Sequence, residues 1–600
     1  MEYLGILDSW SMITRTWLSS MSTTMEKPPN VKISPKRIGF VTFRTAIFAV
    51  LSLFLLNNLF HKFSGPGSVD GSSDGGVVQD PLTFEWGKIT PSTYLQWHTC
   101  GEQRECARLE LPMDHLQPFG ETVAIALVRV PASNKKDYRG PILLNPGGPG
   151  GSGVAFAHQV GSIFQTIIGD EYDIVGFDPR GIGATTPKVS SFLNDIERSI
   201  WDAGAPPLVN STSDAFIKFY SRANISGQLA FSRSKHAAEY VSTANVARDM
   251  LNITNAFGFD KLKYWGFSYG SVLGGTFAAM FPDHVERLII DGVVEFSDYY
   301  SVLTYIFDAC VAAGEDCPLY APTPTEVGAR VEAIFESLRT KPIPVFNGTD
   351  YVVVDYQIAK NLFFHGLYDP FILIGPYFDA LAALEKGNGD PMLNEFRMGT
   401  GQSPKCGDVP KSSIVPITLL EGGSAVRCGE GHGVGFSIDD LRVYLEELRE
   451  LSVFADVWSE LRIDCSGWKI KVKDRYEGDF NTTTSFPLLV IGNTLDPATP
   501  LFAAKKAHEE FRNSALLTVD TPGHCSTAGT SPVALNYIRN YFREGTLPPV
   551  GTVCPIENKL FVKDSQNTTV LSMKEEERRF LELTKEFVQA MYEARKGFYL

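Results

Sequence analysis

Basic residues are in deficit. Lys and Arg total 54 against 69 Asp and Glu, a formal charge of -15, and no basic cluster stands outside the N-terminal segment. Nucleic acid and anionic lipid both need a surplus of positive charge on some face, so neither is an expected partner of the folded part. Zinc-ligand spacing is lacking too. The nine cysteines include no Cys-x-x-Cys pair, and Cys428-Gly429-Glu430-Gly431-His432-Gly433 offers one Cys and one His, too few for a tetrahedral site. That stretch reads as a glycine-rich loop, and no metal is expected. Internal repeats and long low-complexity tracts are also missing, so the 600 residues read as one folded unit with insertions rather than a string of modules.

One long apolar run is present. Residues 38–60 are apolar apart from Arg44, two threonines, a serine and Asn57-Asn58, and as a helix they span about 35 Å, enough to cross a bilayer. Lys27, Lys32, Lys36 and Arg37 precede the run, while His61 and Lys62 follow it. This bias predicts a cytosolic tail over 1–37, a signal anchor over 38–60 and a lumenal or extracellular remainder. A cleaved signal, and so a secreted protein, is the alternative, but no small-x-small site follows the run. Six Asn-x-Ser/Thr sequons, at Asn210, Asn224, Asn252, Asn347, Asn481 and Asn567, fit the same route as glycosylation sites. The cysteines then read as disulfide formers; Cys100/Cys106 and Cys310/Cys317 are close enough to close small loops, and an odd count leaves one thiol over.

Residues 61–83 form a linker rich in Gly, Ser and Asp. Beyond it, short apolar runs at Thr122–Val130, Pro141–Leu144, Tyr172–Phe177, Leu262–Trp265, Arg287–Ile290, Pro487–Ile491 and Ala515–Val519 each end in a turn cluster, with helical stretches between them. Alternating strands and helices predict a mostly parallel sheet covered on both faces. Residues 298–475 interrupt the alternation with segments such as Thr325–Leu338 and Ile438–Leu451, and read as a large helical lid. The expected layout is a core over 84–297 and 476–560, the lid between them, and over 561–600 an amphipathic helix with Phe580, Leu583, Phe587 and Met591 on one face, packed on the body.

Gly266-Phe267-Ser268-Tyr269-Gly270 lies between a strand-like and a helix-like segment. A sharp strand-to-helix turn flanked by glycines lifts a serine hydroxyl clear of a sheet, which suits a nucleophile. Serine needs a base beside it and an acid to orient that base, in the chain order Ser, Asp or Glu, His. Asp496 and His524 follow in that order on turns past strand C-termini. Taken alone, either would read as a cap or a satisfied turn residue. The oxyanion of an acyl-transfer intermediate would be held by the N–H of Tyr269 and by the loop of Gly147 and Gly148, with Gly148 as the second donor. The same loop, Gly148-Pro149-Gly150-Gly151-Ser152-Gly153, also fits a dinucleotide fingerprint with Asp178 as the ribose acid, which would make the chain a nucleotide-dependent oxidoreductase. That rival leaves Ser268, Asp496 and His524 unexplained, so no cofactor is expected; Asp178 reads better as a brace under the active site.

Taken together, Asn145 to Gly153, Gly176-Phe177-Asp178-Pro179-Arg180-Gly181-Ile182-Gly183, the serine elbow, Cys465-Ser466-Gly467-Trp468, Asp496-Pro497-Ala498-Thr499-Pro500, Gly523-His524-Cys525-Ser526 and Gly551-Thr552-Val553-Cys554 resemble the α/β-hydrolase peptidase family of prolyl iminopeptidases. The similarity is greatest to the tripeptidyl aminopeptidase-like secreted hydrolases of actinobacteria and fungi. The resemblance implies a triad of Ser268, Asp496 and His524, an acyl-enzyme route, and release of short peptides or residues from free N-termini, with lid acids holding the amine. Glu295, Asp298, Glu315 and Glu430 are candidates for that role. Ser271 stands where the family often has threonine. The alternatives are an esterase of small molecules and a binding protein that merely kept the fold.

Overall fold

The sheet's central strands form from short apolar runs, among them Pro141–Leu144, Tyr172–Phe177 and Leu262–Trp265, each too short and too uniformly apolar for a surface helix and each buried on both faces; less buried strands flank them. In chain order the strands are β1 (His98–Gly101), β2 (Arg104–Pro112), β3 (Thr122–Val130), β4 (Pro141–Asn145), β5 (Asp173–Phe177), β6 (Leu262–Phe267), β7 (Val285–Asp291), β8 (Ile343–Phe346), β9 (Tyr351–Val354), β10 (Leu489–Leu495), β11 (Ala515–Pro522) and β12 (Val553–Cys554). The computed structural model describes residues 84–206, 208–294, 300–348, 350–400, 416–431, 436–562 and 574–595. These fall in one unit of the chain, Val77–Leu600. The expected anchor over 38–60, together with Glu295, Asp298, Cys406, His432 and Asn567, lies outside the described residues; among those described, no helix is long and apolar enough to cross a membrane.

Ten strands form one sheet in the order β1-β2-β3-β5-β4-β6-β7-β10-β11-β12, while β8 and β9 make a separate hairpin. From β5 to β12 every pairing is parallel, and β1, β2 and β3 add an antiparallel edge. The two-residue period of a strand sets up two cores. In β4, Ile142 and Leu144 join Phe164, Leu535 and Phe587 on one face, whereas Leu143 joins Met250, Phe277 and Ala504 on the other. Helices Gly153–Ile168, Pro532–Glu544 and Glu575–Arg595 cover the first face; Thr243–Ala256, Tyr269–Met280 and Leu501–Glu510 cover the second. The C-terminal amphipathic helix packs on the body, with the Phe587 ring 5.0 Å from Phe164. All parallel strands point their C-terminal ends, and so their loops, to one edge of the sheet.

Over that edge lies the cap. Between β7 and β10 the chain forms Tyr300–Ala313, Pro324–Thr340, Tyr356–Gly366, Pro370–Glu385, Asp390–Thr400, Pro416–Glu430, Ile438–Leu451 and Ala455–Ser466. Phe335, Phe363, Phe378 and Leu381 fill a core of its own. Two expectations need correction. The insertion is not wholly helical, since β8 and β9 interrupt it, and the segment 84–297 is not all sheet core. Helix Ala215–Ala238, between β5 and β6, packs on Ala455–Ser466. Its amphipathic pattern shows which face is buried but carries no sign of what buries it. The glycine-rich stretch around Cys428 is likewise no loop up to Glu430; it ends helix Pro416–Glu430.

Cys100–Cys106 and Cys310–Cys317 form the two expected small loops, and Cys428–Cys465 ties two cap helices together. Cys525 and Cys554 are free and buried.

The cap's seam depends on two glycines. A Cβ on Gly227 would overlap the Gly467 carbonyl, and one on Gly467 would overlap that of Ala223. Gly227→Ala should therefore lower the Tm, costing on the order of 1–3 kcal/mol by overpacking. Inside a helix the exchange ordinarily stabilises, so a raised Tm in thermal unfolding would show that the two helices do not meet there.

Candidate active site

Strand β6 stops at Phe267, and helix Tyr269–Met280 starts two residues on. Ser268 between them sits at φ 55°, ψ -122°, a conformation that a residue with a side chain adopts only under strain. The surroundings impose it. The Ser268 N–H donates to the Asp291 carbonyl at 2.9 Å, and the Ser268 carbonyl accepts from Ser271 N–H at 2.7 Å and Ser271 Oγ at 2.6 Å. A Cβ on Gly266 would overlap the Gly270 carbonyl and the Tyr264 hydroxyl. The turn folds back on itself too tightly for side chains at its flanks.

Asp496 and His524 come from the ends of adjacent parallel strands, β10 and β11. His524 Nδ1 lies 3.0 and 3.1 Å from the two Asp496 carboxylate oxygens. Asp496 is fully buried and also accepts from the N–H groups of Ala498, Thr499 and Cys525 at 2.8 Å each, and from Thr499 Oγ1 at 2.6 Å. Burial alone would raise its pKa, but the His524 ring and these donors outweigh burial and hold it below the ordinary carboxylate value. Asp496, His524 and Cys525 bring three potential ligand atoms within 4.8 Å. The cluster suits hydrogen bonding better than a metal. Burial pushes the Cys525 thiol well up, away from the thiolate that binds metals, and the Asp496 oxygens are already occupied.

A second acid, Asp291 at the end of β7, accepts from Ser526 N–H at 2.8 Å, Ser526 Oγ at 2.5 Å and Trp265 Nε1 at 3.2 Å. Burial pushes its pKa up to about 6. It braces the turn beyond His524, a role no motif announces.

The glycine loop divides its labour. The Gly147 N–H is spent on Asn145 Oδ1 at 2.9 Å, which removes Gly147 as a donor to the site, contrary to expectation. Its φ of 91° and its closeness to the Phe267 carbonyl press the loop against the elbow. Gly148 and Tyr269 line the cavity beside Ser268. Behind the loop, Asp178 accepts from Ser152 Oγ at 2.6 Å, Val154 N–H at 3.1 Å and Ala184 N–H at 2.7 Å. A buried carboxylate thus fills the helix N-terminus where a pyrophosphate would sit, which removes the dinucleotide reading.

Ser268 and His524 open into a cavity of about 750 Å³ that also contains Glu430 and Glu460. Glu430 accepts from Thr243 N–H at 2.6 Å and Thr243 Oγ1 at 2.7 Å, and Thr243 in turn meets the Tyr269 hydroxyl at 2.7 Å. Burial raises its pKa. Glu315, exposed on the turn Gly314–Asp316, does not line the cavity. Glu460, on helix Ala455–Ser466, was not singled out by sequence. Its Oε1 is buried without a hydrogen-bond partner, and burial, followed by repulsion from Asp456 and Asp464, pushes its pKa up to about 8.

That shift has a fixed sign. Between the ordinary carboxyl value near 4.5 and about 8, folded protein holds a proton that the unfolded chain has lost, so this group makes stability fall as pH rises through the interval. Glu460→Gln should raise the Tm relative to wild type at pH 8 and leave it unchanged near pH 4. A constant difference across that range in calorimetry would contradict the burial of the acid.

Two family models match the chain, alpha/beta hydrolase fold over residues 140–304 and TAP-like protein over residues 451–554. Among curated relatives, a tripeptidyl aminopeptidase of Streptomyces lividans is 26% identical, over 77% of this chain and 86% of its own. The serine protease Hip1 of Mycobacterium tuberculosis is 28% identical, over 75% and 87%. Carboxylesterase B of the same organism is 26% identical, over 82% and 95%. The chain carries the alpha/beta hydrolase fold, with Ser268 in the part matched by the first model and Asp496 and His524 both in its TAP-like part.

Proposed function

We propose that the chain is a serine aminopeptidase that releases short peptides from free N-termini through an acyl-enzyme. The reading rests on His524, held at Nδ1 by buried Asp496 while its ring lines the cavity of Ser268. In the proposed reaction Ser268 Oγ attacks the scissile carbonyl carbon and passes its proton to His524 Nε2. Asp496 stays ionised, fixing the tautomer and balancing the imidazolium. The N–H groups of Tyr269 and Gly148 take the oxyanion. His524 then gives the proton to the leaving amine, and water, deprotonated by the same ring, releases the acyl group.

The acids Glu430 and Glu460 supply specificity for an amine. A carboxyl whose ionised form is disfavoured by burial and by neighbouring acids gains most from an incoming ammonium group. The names of the Streptomyces and Mycobacterium relatives, tripeptidyl aminopeptidase and serine protease, support a peptide substrate. Carboxylesterase B keeps a second reading open, hydrolysis of small esters. The two differ in whether the amine matters. Fluorophosphonate should label wild type and not Ser268→Ala, and N-acetylation of a tripeptidyl amide should lower kcat/KM by about 100-fold, roughly 3 kcal/mol. Equal turnover of free and acetylated substrates would sink the aminopeptidase reading, and an unlabelled wild type would sink the hydrolase reading as well.

For location, the proposal is a single-pass anchor over 38–60 with the catalytic part lumenal or extracellular and glycosylated; secretion after cleavage is the alternative. Asn347 and Asn481 are exposed, whereas Asn210, Asn224 and Asn252 are partly buried with Nδ2 hydrogen-bonded to Asp456, the Tyr220 carbonyl and the Arg248 carbonyl. Glycan should therefore be found first at Asn347 and Asn481. Endoglycosidase should shift the band less in the Asn347→Gln/Asn481→Gln double variant, and carbonate extraction should leave the protein in the membrane pellet. An unshifted wild type, or a soluble product beginning after Phe60, would reject the corresponding half.

A further inference from the structure

The turn that carries His524 is held from outside the sheet. The His524 N–H donates to the Tyr368 carbonyl of the cap at 2.8 Å, and the Tyr368 ring meets the imidazole edge-on with centroids 4.9 Å apart. On the other side, the His524 carbonyl accepts from Arg595 Nη1 at 3.2 Å, and the same nitrogen donates to Thr527 Oγ1 at 3.0 Å. Arg595 Nη2 pairs with Asp369, the residue after Tyr368. Arg595 is 8% exposed and Asp369 1%. A guanidinium this deep is tolerated only when its donors are met by an opposite charge and by carbonyls, and here those partners are the cap and the catalytic turn.

Arg595 lies in the last turn of helix Glu575–Arg595, so three segments far apart in the chain meet at one backbone unit. The sheet holds the turn as well: Asn493 Nδ2 donates to the Gly523 carbonyl at 2.8 Å and the Cys525 carbonyl at 2.6 Å, and the N–H groups of Cys525 and Ser526 donate to Asp496 and Asp291 at 2.8 Å each, while Tyr368 and Arg595 tie the turn to the cap. Gly523 has φ 106° and Cys525 has φ 64°, and both lie in the left-handed region, where an L residue such as Cys525 stays only under external constraint. The packing around Gly523 is closed as well, since a Cβ there would press on the Tyr368 carbonyl and on Pro370.

The geometry points to Arg595 as a positioning residue: by bridging Asp369 of the cap to the His524 carbonyl, it ties the direction in which the imidazole faces Ser268 to the seated cap. This inference rests on the reading of His524 as the general base. Arg595 lies on the wall of the cavity but touches no reacting atom in it. Its effect reaches the reaction through the orientation of the ring, and it makes that orientation depend on a seated cap. Loss of the bridge should slow the chemical step while substrate binding in the cavity persists.

The test compares Arg595→Ala, Arg595→Lys and Asp369→Asn with Val588→Ala, which thins the packing of the same helix and leaves the Arg595 side chain in place. Each is assayed for kcat and KM on a tripeptidyl amide and for the rate of fluorophosphonate labelling, with folded fraction set by thermal unfolding. Arg595→Ala should lower kcat and the labelling rate by about 10- to 100-fold, with KM changed less than about threefold. Arg595→Lys should recover part of the loss, Asp369→Asn should show a smaller loss of the same kind, and Val588→Ala should lower the Tm with kcat per folded enzyme unchanged. Unchanged kcat in Arg595→Ala, a loss carried by KM, or an equal loss of kcat in Val588→Ala would overturn the inference. If wild type itself neither labels nor turns over, the hydrolase reading falls and takes the inference with it; an active wild type beside an indifferent Arg595→Ala sinks the inference alone.

Discussion

A carboxylate removed from water keeps its charge only if the protein returns the hydrogen bonds that water supplied. Asp496 receives three N–H groups, a threonine hydroxyl and an imidazole. Two of those donors, Cys525 N–H and the imidazole, reach the acid because β10 and β11 are parallel neighbours, Asn493 beside Val519, so that the loops after them meet. The loop after β10 wraps its own N–H groups around the acid, and the loop after β11 brings Cys525 N–H and the imidazole to the same oxygens. The geometry of the site is thus a consequence of sheet topology. A strand order that separated β10 from β11 would take the imidazole and Cys525 N–H from the acid and leave it only the donors of its own loop.

Much of this was legible in the sequence, for identifiable reasons. Ser268 is marked by glycines that the steric closeness of the turn requires. Asp496 and His524 are marked by their places just past strand C-termini, and strands announce themselves through short apolar runs. Contacts between distant segments were not legible. Glu460 sits on a helix whose pattern gives a buried face without naming the cavity behind it. Asp291 and Ser526 are 235 residues apart and Asp369 and Arg595 are 226 apart; no period connects such positions. The same limit hides the partner of helix Ala215–Ala238, which packs on the cap helix Ala455–Ser466. Asp178 illustrates a different limit, since the glycine pattern before it fits a nucleotide loop and a hydrolase loop equally well. What decides is the occupant of the helix N-terminus, here the chain's own carboxylate.

The cavity acids and the turn of His524 are thereby parts of one construction. Cap residues Tyr368 and Asp369 hold the turn, and cap helices carry Glu430 and Glu460 on the same enclosed space. Under the proposed function, selectivity and reactivity share a wall, so a cap that shifts would alter both together.

The Cys428–Cys465 bridge lies within that wall. It joins the helix that ends in Glu430 to the helix that carries Glu460, across a sequence separation of 37. Closing a loop of that size removes about 4 kcal/mol of chain entropy from the unfolded state in the simplest account. The larger consequence is evolutionary. With the two helices clamped at their ends, the spacing of the acids no longer depends on the chain that links them. Within the intervening stretch, helix Ile438–Leu451 keeps Leu441 and Leu445 buried beside Ala455 and Ile463, so descendants of this fold can vary its exposed face while that packing and the bridge hold the two acids at one spacing.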